Sequence, residues 1–103
     1  MLKGHLELLL LSVLHAEPLH GYGTIRRLHE RSGGAFDLPE GTVYPALRRL
    51  EQAKLVRSRW QTVDGRRRRL YSLTAAGTKA LGHETQSWAD FQVAMARVLE
   101  APA

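Results

Sequence analysis

The sequence predicts a mainly α-helical chain of the α+β class, with three helices, a two-stranded hairpin and a long closing helix. Three observations carry that prediction. Apolar residues recur at helical spacing in the first half and again after residue 74. An Asp64-Gly65 turn signal lies between two runs of strand-like residues. Basic residues crowd into one helix and the hairpin that follows it. At 103 residues the chain makes one compact unit. It reads as a body over residues 1–74 and a closing helix over residues 75–103. A monomer of this size buries only roughly two-thirds of its unfolded surface, so a dimer interface would supplement its core.

In the first helix, Leu2, Leu6, Leu9, Leu10, Val13 and Leu14 share one face at i, i+3, i+4 and i+7 spacing. Leu8 and Leu11 widen the stripe, so this helix should touch neighbours on more than one side. Pro18 stops it. The leucine run imitates a signal peptide, but His5 and Glu7 interrupt it, and Leu14 stands where cleavage needs a small residue. It also falls far short of the ~20 apolar residues that span a bilayer. The segment reads as a buried helix, and the chain as cytoplasmic with no membrane partner.

Gly21-Tyr22-Gly23 opens a second helix through Ile25 and Leu28, which Ser32-Gly33-Gly34 ends. Residues 35–39 connect onward, with room for a very short strand. The third helix is expected to start at Thr42, whose hydroxyl would cap it, with Pro45 in the first turn. Val43, Ala46, Leu47 and Leu50 form its buried face. Tyr44, Arg48, Glu51 and Gln52 fall elsewhere, with Arg49 near the boundary.

Asp64-Gly65 is a two-residue hairpin turn, because both residues tolerate positive φ. That loop length sets Val63 opposite Arg66; Val56 then faces Leu73, Ser58 faces Tyr71 and Trp60 faces Arg69, these three pairs on one side. This side faces the core at its base, and Trp60 and Arg69 meet in a cation–π contact as the hairpin leaves the body. The other side, with Arg57, Arg59, Gln61, Arg68, Leu70 and Ser72, is basic and solvated. Thr74 caps the last helix. There Leu81, Trp88 and Met95 fall seven apart, interleaved with Glu84, Phe91 and Val98, in a heptad-like seam. A helix of that length cannot bury its whole apolar face at home, so a partner helix from a second chain is the expected cover.

Residues 48–69 hold nine of the fifteen basic residues and only two acids, Glu51 and Asp64. Charge packed onto one helix and one hairpin is the footprint of a protein that grips a polyphosphate. Cysteine is absent, which excludes a disulfide framework and thiolate metal sites. The five histidines lack metal-ligand spacing with carboxylates, and no nucleophile motif, carboxylate pair or phosphate-binding glycine loop occurs. The sequence therefore calls for no metal, no cofactor and no enzymatic activity. Three helices followed by a hairpin is the order of a winged helix-turn-helix, in which the third helix enters the DNA major groove and the two-stranded wing follows the backbone or minor groove. A second reading is a winged-helix interaction module whose basic wing binds an acidic protein surface.

Four motifs narrow the choice: His20-Gly21-Tyr22-Gly23; Gly41-Thr42-Val43-Tyr44-Pro45-Ala46-Leu47-Arg48-Arg49-Leu50-Glu51; Ser58-x-Trp60; and Arg66-x-Arg68-Arg69-x-Tyr71-x-Leu73-Thr74-x-x-Gly77. Together they resemble the PadR family of bacterial transcriptional regulators, in its short form with a single C-terminal dimerisation helix. The resemblance implies a homodimeric repressor on a pseudo-palindromic operator, with double-stranded DNA and a second copy of itself as partners. It implies DNA contacts from Thr42, Tyr44, Pro45, Arg48 and Arg49 on the third helix and from Arg66, Arg67, Arg68 and Arg69 on the wing. Gly21 and Tyr22, opening the second helix, would lie against phosphates. Dimerisation would fall to Leu81, Trp88, Phe91, Met95 and Val98. Some short members bind flat aromatic effectors between opposing last helices. Trp88 and Phe91 are thus implied as a site for a planar aromatic effector, beside the plainer reading of Trp88 as an interface residue.

Two positions depart from the family pattern. Lys54 stands where glycine is usual after the recognition helix, and positive φ there would cost a lysine roughly 1 kcal/mol. Leu70 and Ser72 replace an aromatic and a basic residue usual in the wing, for which Arg57 and Arg59 would compensate.

Overall fold

A computed structural model describes residues 2–100, with side chains from His5 onward. The side chain of Leu2 in the first apolar stripe, and the end of the closing segment at residues 101–103, lie outside the described residues. The elements run α1 (Leu2–Ala16), β1 (Leu19–His20), α2 (Gly21–Arg31), α3 (Glu40–Gln52), β2 (Val56–Val63), β3 (Arg66–Leu73) and α4 (Ala75–Leu99).

The leucine-rich start of the chain is a core helix. Leu6, Leu10, Leu11, Val13 and Leu14 of α1 are buried against Ile25 and Leu28 of α2 and Val43, Ala46, Leu47 and Leu50 of α3. Leu11 is as enclosed as Leu10, which is why the stripe of α1 is wide: α1 packs against α2, α3, α4 and β3. Emptying one such leucine site costs roughly 2–5 kcal/mol. The buried polar side chain, Thr24, donates its hydroxyl to the Gly21 carbonyl at 2.6 Å.

Helix α3 begins three residues earlier than its sequence suggests, with its cap at position 39 in place of 42. Pro39, extended at φ −77°, is the N-cap, and its carbonyl accepts from the N–H groups of Thr42 and Val43 at 3.0 and 3.1 Å. Thr42 is therefore not the cap but a residue of the first turn, and Pro45 lies beyond that turn. The missing N–H of Pro45 deprives the Gly41 carbonyl of its helical donor. Gly41 is exposed, which keeps the freed acceptor out of the core.

Both α2 and α3 end in the same double hydrogen-bond lock, the Schellman motif. Gly34 N–H returns to the His29 carbonyl and Gly33 N–H to Glu30; Leu55 N–H returns to Leu50 and Lys54 N–H to Glu51. The left-handed residue is Gly33 in the first case and Lys54 in the second, at φ 64° and 62°. The lysine keeps the conformation that suits glycine. It is held there from outside as well: the Thr74 hydroxyl donates to the Lys54 carbonyl at 2.7 Å and accepts from Gly77 N–H at 3.0 Å, capping α4. Gly77 is buried, and a Cβ there would run into the Leu55 carbonyl. The end of α3 and the start of α4 are thereby bolted together.

All the hairpin pairs worked out above are present, from Val56–Leu73 to Val63–Arg66. Asp64 and Gly65 turn it with φ 51° and 76°, both positive as a type I′ turn demands. The sheet nevertheless has a third strand. Residues 35–39 contain no strand; the short one is Leu19–His20, paired with Tyr71 and Leu70 on the free edge of β3. Pro18 ends α1 and leaves these two residues extended beside an open edge.

The molecule measures 62 × 28 × 21 Å, with a radius of gyration of 15.5 Å. A compact chain of this length would have about 13 Å. The difference is α4, about 37 Å long at 1.5 Å per residue. Ala80 and Leu81 pack on the core, whereas Phe91, Val93, Met95, Val98 and Leu99 are exposed. Among the described residues, no helix is long and apolar enough to cross a membrane.

Candidate nucleic-acid interface

The first turn of α2, the outer face of α3 and the inner edge of the wing enclose a cleft of about 510 Å³. Tyr44 and Arg48, one helical turn apart on α3, line one wall, and Arg67, Arg68 and Arg69 of β3 line the other. Tyr44 takes its place because α2 opens with glycine. A Cβ on Gly21 would collide with the Cε1 and Cδ1 atoms of the Tyr44 ring. Gly21 is accordingly buried and serves as a seat, whereas its neighbour Tyr22 is 57% exposed at the rim. Burial, with Glu40 second, pushes the Tyr44 phenol above its ordinary pKa.

The wing arginines differ in what already holds them. Trp60 carries two guanidinium groups, Arg67 at 4.5 Å and Arg69 at 4.9 Å from the ring centroid. Arg67 and Arg68 make no ion pair among the described residues and line the cleft. Arg69 is tied inward: its Nε donates to Ser58 Oγ at 3.0 Å, and its guanidinium lies 3.7 Å from Glu51. Arg66, beside the turn, is exposed and does not line the cleft.

The remaining α3 residues divide in the same way. Thr42 and Pro45 are exposed on the outer surface of the helix but stand outside the cleft wall. Arg49 turns the other way and pairs with Glu7 of α1 at 3.5 Å. The structure thus gathers Tyr44, Arg48, Arg67, Arg68 and Arg69 with Gly21 and Tyr22, leaves Thr42, Pro45 and Arg66 outside the cleft, and turns Arg49 to a different face.

Three cleft residues escaped the sequence reading: His20, Glu40 and Tyr71. His20 enters through β1, with its Nδ1 3.3 Å from the Arg69 carbonyl, and that strand has too few residues to show in a periodicity. Glu40 enters because α3 starts early. Tyr71 was placed opposite Ser58, but which wall it joins depends on how the hairpin sits against α3. In chemical terms the cleft offers free guanidinium groups, phenols and an imidazole around a single carboxylate. That set can hydrogen-bond phosphate oxygens and base edges.

A second concavity, about 520 Å³ and mainly apolar, lies between α1 and α4, lined by residues that include His5, Leu8, Phe36 and Trp88. Trp88 stands edge-on to His5 with ring centroids 4.6 Å apart and tilts against Phe91 at 5.7 Å. Phe91 lines only the smaller recess beside it, about 200 Å³. Leu81, the first position of the heptad-like seam, is half-buried against the chain's own core.

Comparison with known proteins places this architecture. The sequence model of the transcriptional regulator PadR-like family matches residues 10–83. A PadR family transcription regulator from Clostridium difficile superposes with a TM-score of 0.82 at 33% identity, over 93% of this chain and 99% of that one. A PadR-like transcriptional regulator from Bacillus cereus gives 0.85 at 28% identity, over 99% and 98% of the two chains. A transcriptional regulator of Mycobacterium tuberculosis is 41% identical over 58 residues, 56% of this chain and 54% of that one. With the matched segment running from the core of α1 through α3 and the hairpin into α4, the chain belongs to the PadR-like family, whose members are DNA-binding transcriptional regulators and not enzymes.

Proposed function

We propose that this chain is a homodimeric repressor that grips a pseudo-palindromic operator, each copy laying α3 in a major groove and its wing along the adjoining backbone. The observation that carries this reading is the cleft in which Arg48, Arg67 and Arg68 converge with the hydroxyls of Tyr22 and Tyr44. Residues 1–74 supply that grip. Residues 75–103 supply the dimer contact, through the apolar row that Phe91, Met95 and Val98 leave open to solvent. Two recognition helices related by a two-fold axis then meet half-sites about one helical turn apart.

Titration of a labelled palindromic duplex, selected from the DNA upstream of the chain's own gene, tests the reading against a scrambled duplex over a range of salt. The Arg67→Ala, Arg68→Ala double variant should weaken binding to both duplexes and flatten the log–log salt slope by about two, at roughly 0.9 per phosphate contact. An unchanged slope removes the wing from the interface. Equal affinity for palindrome and scramble would favour the acidic-protein reading.

The α1–α4 cleft supports a planar aromatic effector that lies against Trp88. Such a ligand shifts operator affinity only if it prefers one dimer geometry over the other. In a Trp60→Phe background its binding should quench Trp88 and release DNA. Aromatics that neither quench nor release return Trp88 to a packing role.

A further inference from the structure

We infer that Glu51 and Ser58 hold Arg69 as an internal strut that sets the angle between wing and recognition helix, so that Arg69 is a positioning residue for operator discrimination and not a phosphate ligand. The inference rests on the DNA-binding reading above and redistributes labour within it.

The hydrogen-bond directions are consistent along the chain of groups. Ser58 has one hydroxyl proton, which it donates to Glu51 Oε2 at 2.6 Å. Its oxygen is then free to accept from Arg69 Nε at 3.0 Å. The guanidinium closes the triangle at 3.7 Å from the same carboxylate oxygen and lies over Trp60. Behind it, the Arg69 carbonyl is within reach of His20 on β1. Glu51 belongs to α3, Ser58 to β2 and Arg69 to β3, so this one cluster spans all three elements that must act together. Among the described residues it is the link by which side chains of α3 are hydrogen-bonded to the hairpin.

Its position matters mechanically. Val56 is in the core, but Trp60 is 53% exposed, so the hairpin leaves the body just beyond Ser58. The turn at Asp64 is six residues further, about 20 Å away at 3.3–3.4 Å per residue. A 10° swing at Ser58 would displace the tip by about 3.5 Å, more than the latitude of a 2.7–3.2 Å hydrogen bond. Arg67 and Arg68 ride on that lever with no ion-pair partner among the described residues, whereas the guanidinium of Arg69 is held by Ser58 and Glu51.

The test uses the full chain and two readouts, the salt slope of duplex binding and the affinity ratio of operator to scrambled DNA. Arg69→Ala should leave the slope at the wild-type value and lower the ratio about tenfold. Arg68→Ala, by contrast, should reduce the slope by about 0.9. Ser58→Ala removes a single hydroxyl, so it serves if Arg69→Ala fails to fold, and it should repeat the loss of ratio at constant slope. Ser58→Thr should restore the ratio. A slope reduced by about one unit in Arg69→Ala would make Arg69 a phosphate contact and overturn the inference. An unchanged ratio in both alanine variants would overturn it as well. A wild-type chain that does not discriminate operator from scramble overturns the operator reading itself.

Discussion

The α3–wing half of the molecule and the distal half of α4 solve opposite problems with similar material. Around α3, the apolar side chains Val43, Ala46, Leu47 and Leu50 are all enclosed, and the polar ones outside are arranged by partners within the chain: Tyr44 over Gly21, Arg67 over Trp60, Arg69 against Glu51. Along α4 beyond Trp88 the apolar side chains are outside instead. Among the described residues Phe91 is 50% and Val98 78% exposed. One surface is complete as folded and presents unpaired cations; the other leaves apolar area in water that a second apolar face would remove. In the proposed function, recognition is prepared inside a single copy, while the geometry that would make it specific to a paired site depends on a second.

The comparison breaks most visibly if the open half of α4 can be filled with charge at no consequence. Met95→Lys is expected to convert dimer to monomer and abolish operator binding, with the winged body still folded. Two unpaired ammonium groups across a two-fold cost several kcal/mol. Sedimentation velocity beside circular dichroism checks it, and a surviving dimer would show that this face of α4 is not the contact.

The prepared half is probed at its seat. Gly21→Ala forces the Tyr44 ring out of the cleft, because the new methyl would occupy the same space. Overpacking of this kind costs about 1–3 kcal/mol. Operator affinity should fall more than affinity for scrambled DNA, since the helix wall of the cleft is disturbed and the wing is not. Equal losses would place Tyr44 in backbone contact.

A smaller effect, of opposite sign, is expected where the two halves are bolted together. Lys54→Gly should stabilise the chain by about 1 kcal/mol by relieving left-handed strain in a lysine. In a domain of this size that raises the melting temperature by about 4–8 °C. No gain on melting would mean that the Thr74 clamp, and not the lysine backbone, sets the energy of this turn.

The smallest effect is a pH dependence confined to the prepared half. Burial, and then the Glu51 carboxylate, push the Tyr71 phenol above its ordinary 10.0. The folded chain holds that proton more tightly than the unfolded one. The corresponding stability is whole below pH 10.0 and is lost as pH rises through the elevated folded value. Tyr71→Phe should remove that increment of alkaline destabilisation from urea unfolding curves collected above and below pH 10. Curves that stay parallel to wild type would show that Tyr71 feels no such environment.

Much of this architecture is legible in the sequence alone. The four helices follow from the spacing of apolar residues and, for the second, from the glycines at its two ends, because a helical face that must be buried repeats every three to four residues. The hairpin register follows from Asp64-Gly65, since a two-residue turn leaves only one way to pair the flanking strands. The basic concentration over residues 48–69 pointed to a polyanion, and the motif resemblance to the family agrees with the match over residues 10–83. These are local properties, carried by neighbours in the chain.

What the sequence did not disclose depends on how elements meet. Pairing of Leu19–His20 needs the free edge of β3, some fifty residues away, and no periodicity survives in two residues. The early start of α3 at Glu40 was hidden because Thr42 carries a side-chain capping signal, whereas Pro39 caps the helix with its backbone carbonyl, which accepts two N–H groups and leaves no side-chain signature. Composition alone makes the four arginines of residues 66–69 equivalent. All three of Arg67, Arg68 and Arg69 line the cleft, but only the packing of the hairpin against α3 ties Arg69 to Glu51 and leaves Arg67 and Arg68 without an ion pair among the described residues, because an ion pair is defined by a distance between elements and not by a spacing along one.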